Sequence, residues 1–241
     1  MNKYRLEISS DKNQLAIKAS GIISNYISEI INQNSRVKIC LSGGTSPSST
    51  YRLLADKKLQ WSNVDIFLGD ERWVDPDDEK SNSLMLRKTL IGNKLTGQAN
   101  FYPVPIRGCK SSSESAEKFS TLMQKICGSP PIFDLVLLGL GDDGHTASLF
   151  PYSEQLTIND KFAISSFGAG MDRITLTTPV LSSAKKVIFL VSGSNKQTAL
   201  RRLLDENESA SRTPARLIQS KNEVLILADN EAACSLESHN V

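Results

Sequence analysis

An apolar run that stops at a turn rich in glycine and aspartate, followed by a histidine, constrains this chain more than any other segment. The run reads Leu135-Val-Leu-Leu-Gly-Leu-Gly-Asp-Asp-Gly-His145. A short continuous apolar segment is typical of a strand that is buried on both faces of a parallel sheet. An open α/β sheet places its reactive groups at the carboxyl ends of such strands, and imidazole titrates near neutral pH. His145 is therefore a candidate functional residue, whereas the second histidine, His239, lies close to the end of the sequence.

Composition favours a globular protein without a strong charge preference. The 241 residues are 39% hydrophobic, and 28 basic and 26 acidic residues give a net charge of +2. This balance gives no reason to expect nucleic acid or a membrane surface as a partner. The N-terminus lacks the apolar core of a signal peptide, and no segment approaches the ~20 apolar residues that span a bilayer. Four scattered cysteines favour neither a disulfide scaffold nor a metal site. We expect one cytoplasmic domain over residues 1–241 and no metal.

Segments with helical periodicity alternate with short apolar segments along the chain. Ile23, Ile27 and Ile31 repeat at the spacing of an amphipathic helix. Strands that alternate with helices form a mostly parallel sheet covered on both faces, so we predict a Rossmann-like, doubly wound α/β fold. The predicted helices span residues 11–34, 47–57, 82–92, 111–127, 194–205, 214–219 and 231–237, and the predicted strands span 36–41, 63–68, 161–166, 173–177, 186–191 and 224–228, besides the run that begins at Leu135.

Three loops follow apolar strands directly. Because the carboxyl ends of parallel strands lie along one edge of a sheet, we expect these loops to converge on one crevice. The loops are Ser42-Gly-Gly-Thr-Ser-Pro47, Gly69-Asp-Glu-Arg-Trp73 and Gly139-Leu-Gly-Asp-Asp-Gly-His145.

The first loop suits an anion. Gly43 and Gly44 let the backbone approach a ligand closely, and a helix begins near Pro47. Hydroxyl donors are added by Ser42, Thr45 and Ser46. The free N–H groups and the positive dipole end of that helix favour a phosphate. Taken alone, the motif is more often a plain structural turn, because Ser-Gly-Gly turns are common. The loop is neither a Walker motif nor a dinucleotide fingerprint.

The other two loops carry titratable groups. Asp70 and Arg72 could orient a substrate hydroxyl or tune a neighbouring base, although a surface ion pair is an equally good interpretation. Asp143 and His145 could form an acid–base pair, although a lone histidine is often structural. The Asp-Asp-Gly element lacks the ladder of oxygen ligands found in calcium sites. Ser148 is not in a nucleophile elbow and is a poor nucleophile candidate.

Taken together, these segments resemble the 6-phosphogluconolactonases, a family within the superfamily that also contains the glucosamine-6-phosphate deaminases. The resemblance runs from about residue 41 to residue 233 in the family's order. It is carried by Ser42-Gly-Gly-Thr-Ser-Pro47, Gly69-Asp-Glu-Arg72, Ser81-Asn82-Ser83 and Gly139-Leu-Gly-Asp-Asp-Gly-His-Thr-Ala-Ser-Leu-Phe-Pro151, and more weakly by Arg173-Ile-Thr-Leu-Thr177, Val191-Ser-Gly-Ser-Asn-Lys196 and Asp229 with Ala232-Ala233.

The resemblance implies hydrolysis of 6-phospho-D-glucono-1,5-lactone to 6-phosphogluconate, a step of the oxidative pentose phosphate pathway. His145 would be the general base that activates water, and Asp143 or Asp70 would orient the imidazole or the water. Arg72 would stabilise the developing oxyanion. The resemblance implies no cofactor, and we expect a monomer or weak homodimer. The implied substrate- and phosphate-binding residues are Ser42, Gly43, Gly44, Thr45, Asn82, Arg173 and Lys196.

One segment departs from the family's pattern. The family often carries a Lys-Pro-Pro lead-in before the equivalent of Arg173, and here Phe167-Gly-Ala-Gly-Met-Asp172 takes its place. We expect a more flexible loop there, which makes the assignment of Arg173 weaker than that of Lys196.

Two alternatives remain on the same scaffold. Deaminases share the Asp-Gly-His element, but their histidine is followed by a segment ending in Asn-Glu-Pro. Here the corresponding residues are Leu149-Phe150-Pro151, and a phenylalanine cannot transfer a proton. A non-catalytic sugar-phosphate sensor is the second alternative. It would be expected to lack the histidine or to carry a fused DNA-binding segment, and the sequence shows neither feature.

Overall fold

A single large parallel sheet forms the centre of the protein. The computed structural model describes residues 4–34 and 36–237, so His239 lies outside the described residues. The ten described strands are β1 (Tyr4–Ser9), β2 (Val37–Leu41), β3 (Val64–Leu68), β4 (Asp70–Arg72), β5 (Asn100–Tyr102), β6 (Leu135–Gly139), β7 (Ala163–Gly168), β8 (Met171–Leu176), β9 (Lys186–Val191) and β10 (Val224–Asp229). Seven of them pair in the order β1-β10-β9-β6-β2-β3-β5, and every pairing in this sheet is parallel.

Helices cover the large sheet on both faces. All residues of β3 and β10 are buried, and successive side chains of a strand point to opposite faces. The predicted doubly wound, mostly parallel α/β fold is therefore confirmed. The described α-helices are α1 (Lys12–Asn34), α2 (Thr45–Ala55), α3 (Asn82–Leu86), α4 (Ser112–Cys127), α5 (Thr178–Ser182), α6 (Gln197–Leu204) and α7 (Asn230–Glu237).

A second, antiparallel sheet of three strands lies beside the large one, in the order β4-β8-β7. Two predictions were wrong here. The segment 70–72, predicted as part of a loop, is strand β4, and it pairs with β8 about a hundred residues further along. The segment 167–172, predicted as a flexible loop, is a β-hairpin in which β7 and β8 pair up to Gly168 and Met171.

Other differences concern short elements. Strands β1 and β5 were not predicted, and they are the two edge strands of the large sheet. The predicted helix 82–92 is α3 followed by one wide turn over Arg87–Ile91, and the predicted helix 214–219 is a single 3₁₀ turn over Pro214–Leu217. Short or edge elements carry a weak sequence pattern, because few of their residues are buried on one regular face.

The connections place a crevice between β2 and β6. From β2 the chain runs to one side of the sheet through β3 and β5, and from β6 it runs to the other side through β9 and β10. Ligands of open α/β sheets bind at such a reversal, outside the carboxyl ends of the strands. The loops that carry Ser42 and His145 follow these two strands.

Candidate active site

A cleft of about 210 Å³ lies at this reversal of the strand order. All three predicted loops contribute to it. The predicted site residues that line it are Ser42, Gly43, Gly44, Thr45, Asp70, Arg72, Asn82, His145, Arg173 and Lys196. Asp143 does not line the cleft, but its carboxylate contacts the imidazole Nδ1 of His145, which does. The fold therefore brings the whole predicted set together.

His145 and Asp143 form a hydrogen-bonded pair. The imidazole Nδ1 lies 2.6 Å from Asp143 Oδ1, and the backbone N–H of His145 donates to the same oxygen at 2.9 Å. Burial opposes ionisation of Asp143, but the hydrogen bonds from His145 outweigh it and leave the pKa of Asp143 below its ordinary value. An ionised carboxylate at Nδ1 favours the tautomer with the proton on that nitrogen. The second nitrogen, Nε2, is then available to a water molecule.

Close packing holds this pair in place. A Cβ atom at Gly141 would lie 2.0 Å from His145 Nδ1, so only glycine leaves room for the imidazole. The hydroxyl of Thr146 donates to the carbonyl of Gly139 at 2.8 Å, which ties the loop to the end of β6. The hydroxyl of Ser148 donates to Asp70 Oδ2 at 2.6 Å. Ser148, rejected as a nucleophile from the sequence, thus links the histidine loop to β4.

The start of α2 presents free donors to the cleft. Helix α2 begins at Thr45, two residues before the predicted start, and no side chain of the described residues caps it after Gly44. The first N–H groups of a helix have no partner within the helix. The buried hydroxyl of Ser42 also lacks a hydrogen-bond partner among the described residues. The Tyr51 hydroxyl donates to the Ser42 carbonyl at 2.7 Å and fixes the turn.

Asn82 connects the loop 42–47, which we call the phosphate loop, to β4. Its Oδ1 accepts a hydrogen bond from Arg72, and its Nδ2 donates to the Asp70 carbonyl at 2.9 Å. A Cβ atom at Gly43 would lie 1.9 Å from Asn82 Oδ1, so the amide rests directly on the backbone of the loop. The polar atoms of Asn82 therefore bind neighbouring protein groups and set the positions of Arg72 and Asp70.

Arg173 is buried against an aromatic ring. It lies on β8 opposite Arg72, its Nε donates to the Gly168 carbonyl at 3.1 Å, and its guanidinium carbon lies 5.4 Å from the centroid of the Phe150 ring. Burial and the neighbouring Arg72 lower the pKa of Arg173, while Asp70, about 4.0 Å away, opposes that shift. The guanidinium groups of Arg72 and Arg173, which lie on paired residues of β4 and β8, provide donors suited to an anion.

Sequence reasoning did not assign several residues of this site. From the sequence Phe150 is only the residue that replaces a glutamate, yet its ring centroid lies 4.7 Å from that of the His145 imidazole. From the sequence Glu71 is only one residue of a loop, yet the structure buries it almost completely. Ser192 follows β9, and its hydroxyl oxygen lies 2.7 Å from that of Ser46, one of the hydroxyls predicted to face the anion. The identity of a polar or aromatic residue inside a motif does not indicate which side chain it contacts in the folded protein.

The weaker sequence matches at the ends of β9 and β10 have a structural explanation. Both carboxylate oxygens of Asp229 accept from the Gly193 N–H at 3.1 Å, and one of them accepts from the Ala232 N–H at 2.9 Å. Asp229 thereby holds the turn that carries Lys196 at the rim of the cleft.

Two further features concern the described residues as a whole. Residues 4–34 and 36–237 contain no group of three or more histidine, cysteine or acidic side chains arranged to hold a metal ion. None of the helices within these ranges has the length and apolar character needed to cross a bilayer.

Comparison with known proteins places these observations in a family. A model described as glucosamine-6-phosphate isomerases/6-phosphogluconolactonase matches residues 10–227. A 6-phosphogluconolactonase of Synechocystis sp. is 34% identical over 235 residues, which cover 96% of this chain and 98% of the relative. A 6-phosphogluconolactonase of Nostoc sp. is 35% identical over 237 residues, which cover 97% of this chain and 99% of the relative.

A solved structure agrees with this similarity. The 6-phosphogluconolactonase from Trypanosoma cruzi superimposes with a TM-score of 0.86 at 26% identity, over 98% of this chain and 97% of that one.

Proposed function

The chain belongs to the family of glucosamine-6-phosphate isomerases and 6-phosphogluconolactonases, and from this premise we propose that it hydrolyses 6-phospho-D-glucono-1,5-lactone to 6-phospho-D-gluconate. The observation that carries the proposal is one cleft that combines the His145–Asp143 pair with the uncapped start of α2. The first feature suits activation of water, and the second suits a phosphate.

His145 acts as the general base in this proposal. With its proton on Nδ1 and shared with Asp143, the imidazole accepts a proton from water at Nε2 while the water oxygen attacks the lactone carbonyl carbon. A lactone is an activated ester, so a base of near-neutral pKa suffices without a covalent nucleophile. The tetrahedral intermediate then breaks the bond between C1 and the ring oxygen, and the imidazolium returns the proton to that oxygen.

Arg72 stabilises the charge that develops on the carbonyl oxygen. Hydrogen bonds to the Lys80 carbonyl, at 2.8 Å, and to Asn82 hold one of its nitrogens. The remaining N–H groups of a guanidinium are free to bind an oxyanion. Because these partners fix the guanidinium before the reaction, little reorganisation is needed in the transition state.

The phosphate binds at the start of α2. The N–H groups after Gly44 and the unpartnered hydroxyl of Ser42 supply hydrogen bonds, and Arg173 and Lys196 supply positive charge. Arginine offers a fork of donors and lysine a point charge, which together suit a dianion. Asp70 keeps Arg173 oriented, since its carboxylate lies between Ser148 and the guanidinium.

Phe150 favours lactone hydrolysis over loss of an amine. Deamination of an aminosugar phosphate needs acid–base groups beyond the histidine. The side chain at position 150 contacts the imidazole but is an aromatic hydrocarbon ring, which offers no such group.

We also propose that the protein works in the cytoplasm, as a monomer or weak homodimer, without a cofactor, metal, nucleic acid or membrane partner. The near balance of 28 basic and 26 acidic residues supports the proposal that neither nucleic acid nor a membrane surface is a partner. The four cysteines, all of which lie among the described residues, are free thiols, as is usual in a reducing compartment.

The direct test is an assay with freshly generated lactone. The protein should consume 6-phosphogluconolactone faster than its spontaneous hydrolysis and leave glucosamine-6-phosphate unchanged. Release of ammonia from glucosamine-6-phosphate, with no acceleration of lactone hydrolysis, would replace the proposal with the deaminase function. Binding of both sugar phosphates without turnover would indicate a sensor.

A further inference from the structure

We propose that Glu71 is a positioning residue for this site and that it acts through Asn82 on Arg72. The proposal rests on the proposed lactone hydrolysis, because its consequence is measured in that reaction. It assigns a function to a carboxylate that lies behind the cleft and does not line it.

Glu71 is a buried carboxylate with four hydrogen bonds. Its residue is only 1% exposed. One oxygen accepts from the backbone N–H groups of Asn82 and Arg72, at 2.6 and 2.8 Å. The other accepts from the Ser83 N–H at 2.7 Å and from the Ser81 hydroxyl at 3.2 Å. Burial raises the pKa of Glu71, and the hydrogen bonds from Asn82, Ser83 and Arg72 oppose that rise.

These bonds join two segments that the sequence separates. Glu71 belongs to β4, whereas three of its four hydrogen bonds come from Ser81, Asn82 and Ser83 at the start of α3, about ten positions further along. A buried charge is costly unless it is satisfied by hydrogen bonds. The buried charge of the carboxylate is therefore satisfied only while the 81–83 segment is folded against β4. The same hydrogen bonds hold that segment in place.

The 81–83 segment fixes the amide of Asn82 in one orientation. The oxygen of that amide accepts from Arg72, and the nitrogen donates to the carbonyl of Asp70 at 2.9 Å and to its carboxylate at 3.3 Å. The backbone of Gly43 lies against the amide and blocks movement to that side. A shift of the segment would therefore displace Arg72 relative to the phosphate loop.

This chain of contacts predicts a specific kinetic effect. If Arg72 stabilises charge only in the transition state, loss of its position lowers kcat and leaves substrate binding nearly unchanged. A purely structural role for Glu71 would lower thermal stability without changing the turnover of the folded fraction.

The test is a double-mutant cycle with E71Q and N82A, measured on folded protein. Glutamine keeps the size of the side chain but points an amide N–H₂ at backbone donors. We expect each single variant to lower kcat by about 10-fold or more, as small displacements near a reacting centre do, with KM changed less than about 3-fold. The double variant should be no slower than the slower single variant, because both changes interrupt the same chain of contacts.

The control is E114Q on α4. Glu114 also accepts from a backbone N–H, that of Lys110 at 2.7 Å, but it lies on an exposed helix face away from the cleft. E114Q should keep full activity. If E71Q does not fold, E71D, which shortens the side chain by one methylene, takes its place in the cycle.

Two results would overturn the inference. Multiplicative losses in the double variant would show that Glu71 and Asn82 act independently, and unchanged kcat in E71Q would confine Glu71 to a structural role. Failure of the wild-type protein to hydrolyse the lactone would instead refute the proposed function, so the two failures are distinguishable.

Discussion

The imidazole Nδ1 of His145 and the carboxylate of Asp143 are 2.6 Å apart, and the same carboxylate oxygen also binds the His145 backbone N–H. Two residues that are two positions apart in the sequence are therefore joined by two hydrogen bonds. The orientation of the imidazole comes from this short loop and from the space left by Gly141.

Replacement of His145 by alanine should remove the general base. We expect kcat for 6-phosphogluconolactone to fall by at least ~100-fold, the low end of a general-base contribution. KM should change little, because the imidazole faces the reacting centre in the proposed arrangement. Stopped assays with fresh lactone measure the effect, and unchanged turnover would remove His145 from the mechanism.

Replacement of Asp143 by asparagine should leave the imidazole in place but in the wrong tautomer. The asparagine amide can donate to Nδ1, which moves the ring proton to Nε2 and blocks acceptance of a proton from water. We expect a loss of kcat of ~100-fold, by comparison with other acid–base pairs. The neighbouring D142N variant is the matched control and should retain activity.

The pH profile gives a second check on this pair. The hydrogen bonds from His145 hold the pKa of Asp143 below its ordinary value. A depressed pKa keeps the carboxylate charged down to a more acidic pH than an ordinary aspartate reaches. The part of kcat/KM that depends on the Asp143 carboxylate should therefore persist to a lower pH than an unperturbed aspartate would allow. In D143N this contribution is absent at every pH, so the ratio of wild-type to D143N activity should stay constant on acidification until Asp143 itself is protonated and should narrow only below that point.

Lys196 should affect the phosphorylated substrate selectively. K196A is expected to raise KM for 6-phosphogluconolactone by about 10-fold, which corresponds to about 1.4 kcal/mol for one charged contact. Hydrolysis of unphosphorylated gluconolactone should be unchanged. K88A, which removes an exposed lysine paired with Glu79, is the control. Equal losses on both lactones would show that Lys196 does not bind the phosphate.

Gly43 should tolerate no side chain. In G43A the new methyl group would collide with the amide of Asn82, and such overpacking costs about 1–3 kcal/mol of unfolding free energy. Displacement of the amide should also lower kcat through Arg72. The control is G21A, since a Cβ at Gly21 in α1 meets nothing within 4 Å and should be neutral or stabilising in a helix. Urea denaturation and lactone turnover, measured on both variants, separate the two effects.

The sequence predicted the convergence of the site because parallel strands have a simple geometry. Buried apolar runs marked β2, β3 and β6, and the carboxyl ends of parallel strands meet at one edge. The loops that carry Ser42, Asp70 and His145 were thereby placed together before any distance was known. The antiparallel pairing of β4 with β8 was not predictable in the same way. Its three residues, Asp70–Arg72, are polar and too few to show an alternating pattern, and their partner strand lies far along the chain.

The functions of Glu71 and Phe150 depended on contacts that no local pattern encodes. A glutamate next to an arginine suggests an ion pair, yet Glu71 binds backbone N–H groups of another segment. A phenylalanine after an apolar residue suggests simple burial, yet the ring of Phe150 lies between two candidate functional side chains. Both assignments require tertiary structure, because Glu71 meets the 81–83 segment only where the start of α3 folds against β4, and Phe150 meets Arg173 only where the histidine loop packs against β8.

Phe150 should set the position of Arg173. Its ring lies beneath the guanidinium and against the backbone of Gly168, where a Cβ atom would approach the ring to 2.1 Å. In F150L the apolar volume is largely kept, but the aromatic face that attracts the cation is lost. A partly buried cation–π contact contributes about 1 kcal/mol, so KM for the phosphorylated lactone should rise about fivefold.

Two matched variants complete this experiment. F150Y keeps the aromatic face and should bind the lactone like the wild type. F167L changes a phenylalanine of the β7–β8 hairpin, the hairpin that carries Arg173. The Phe167 residue is 65% exposed, so this variant should have no effect on KM. An unchanged KM in F150L, or an equal rise in F167L, would show that Arg173 does not depend on the ring. A rise confined to F150L would establish that the residue following the Asp-Gly-His loop orients the phosphate-binding cation as well as contacting the base.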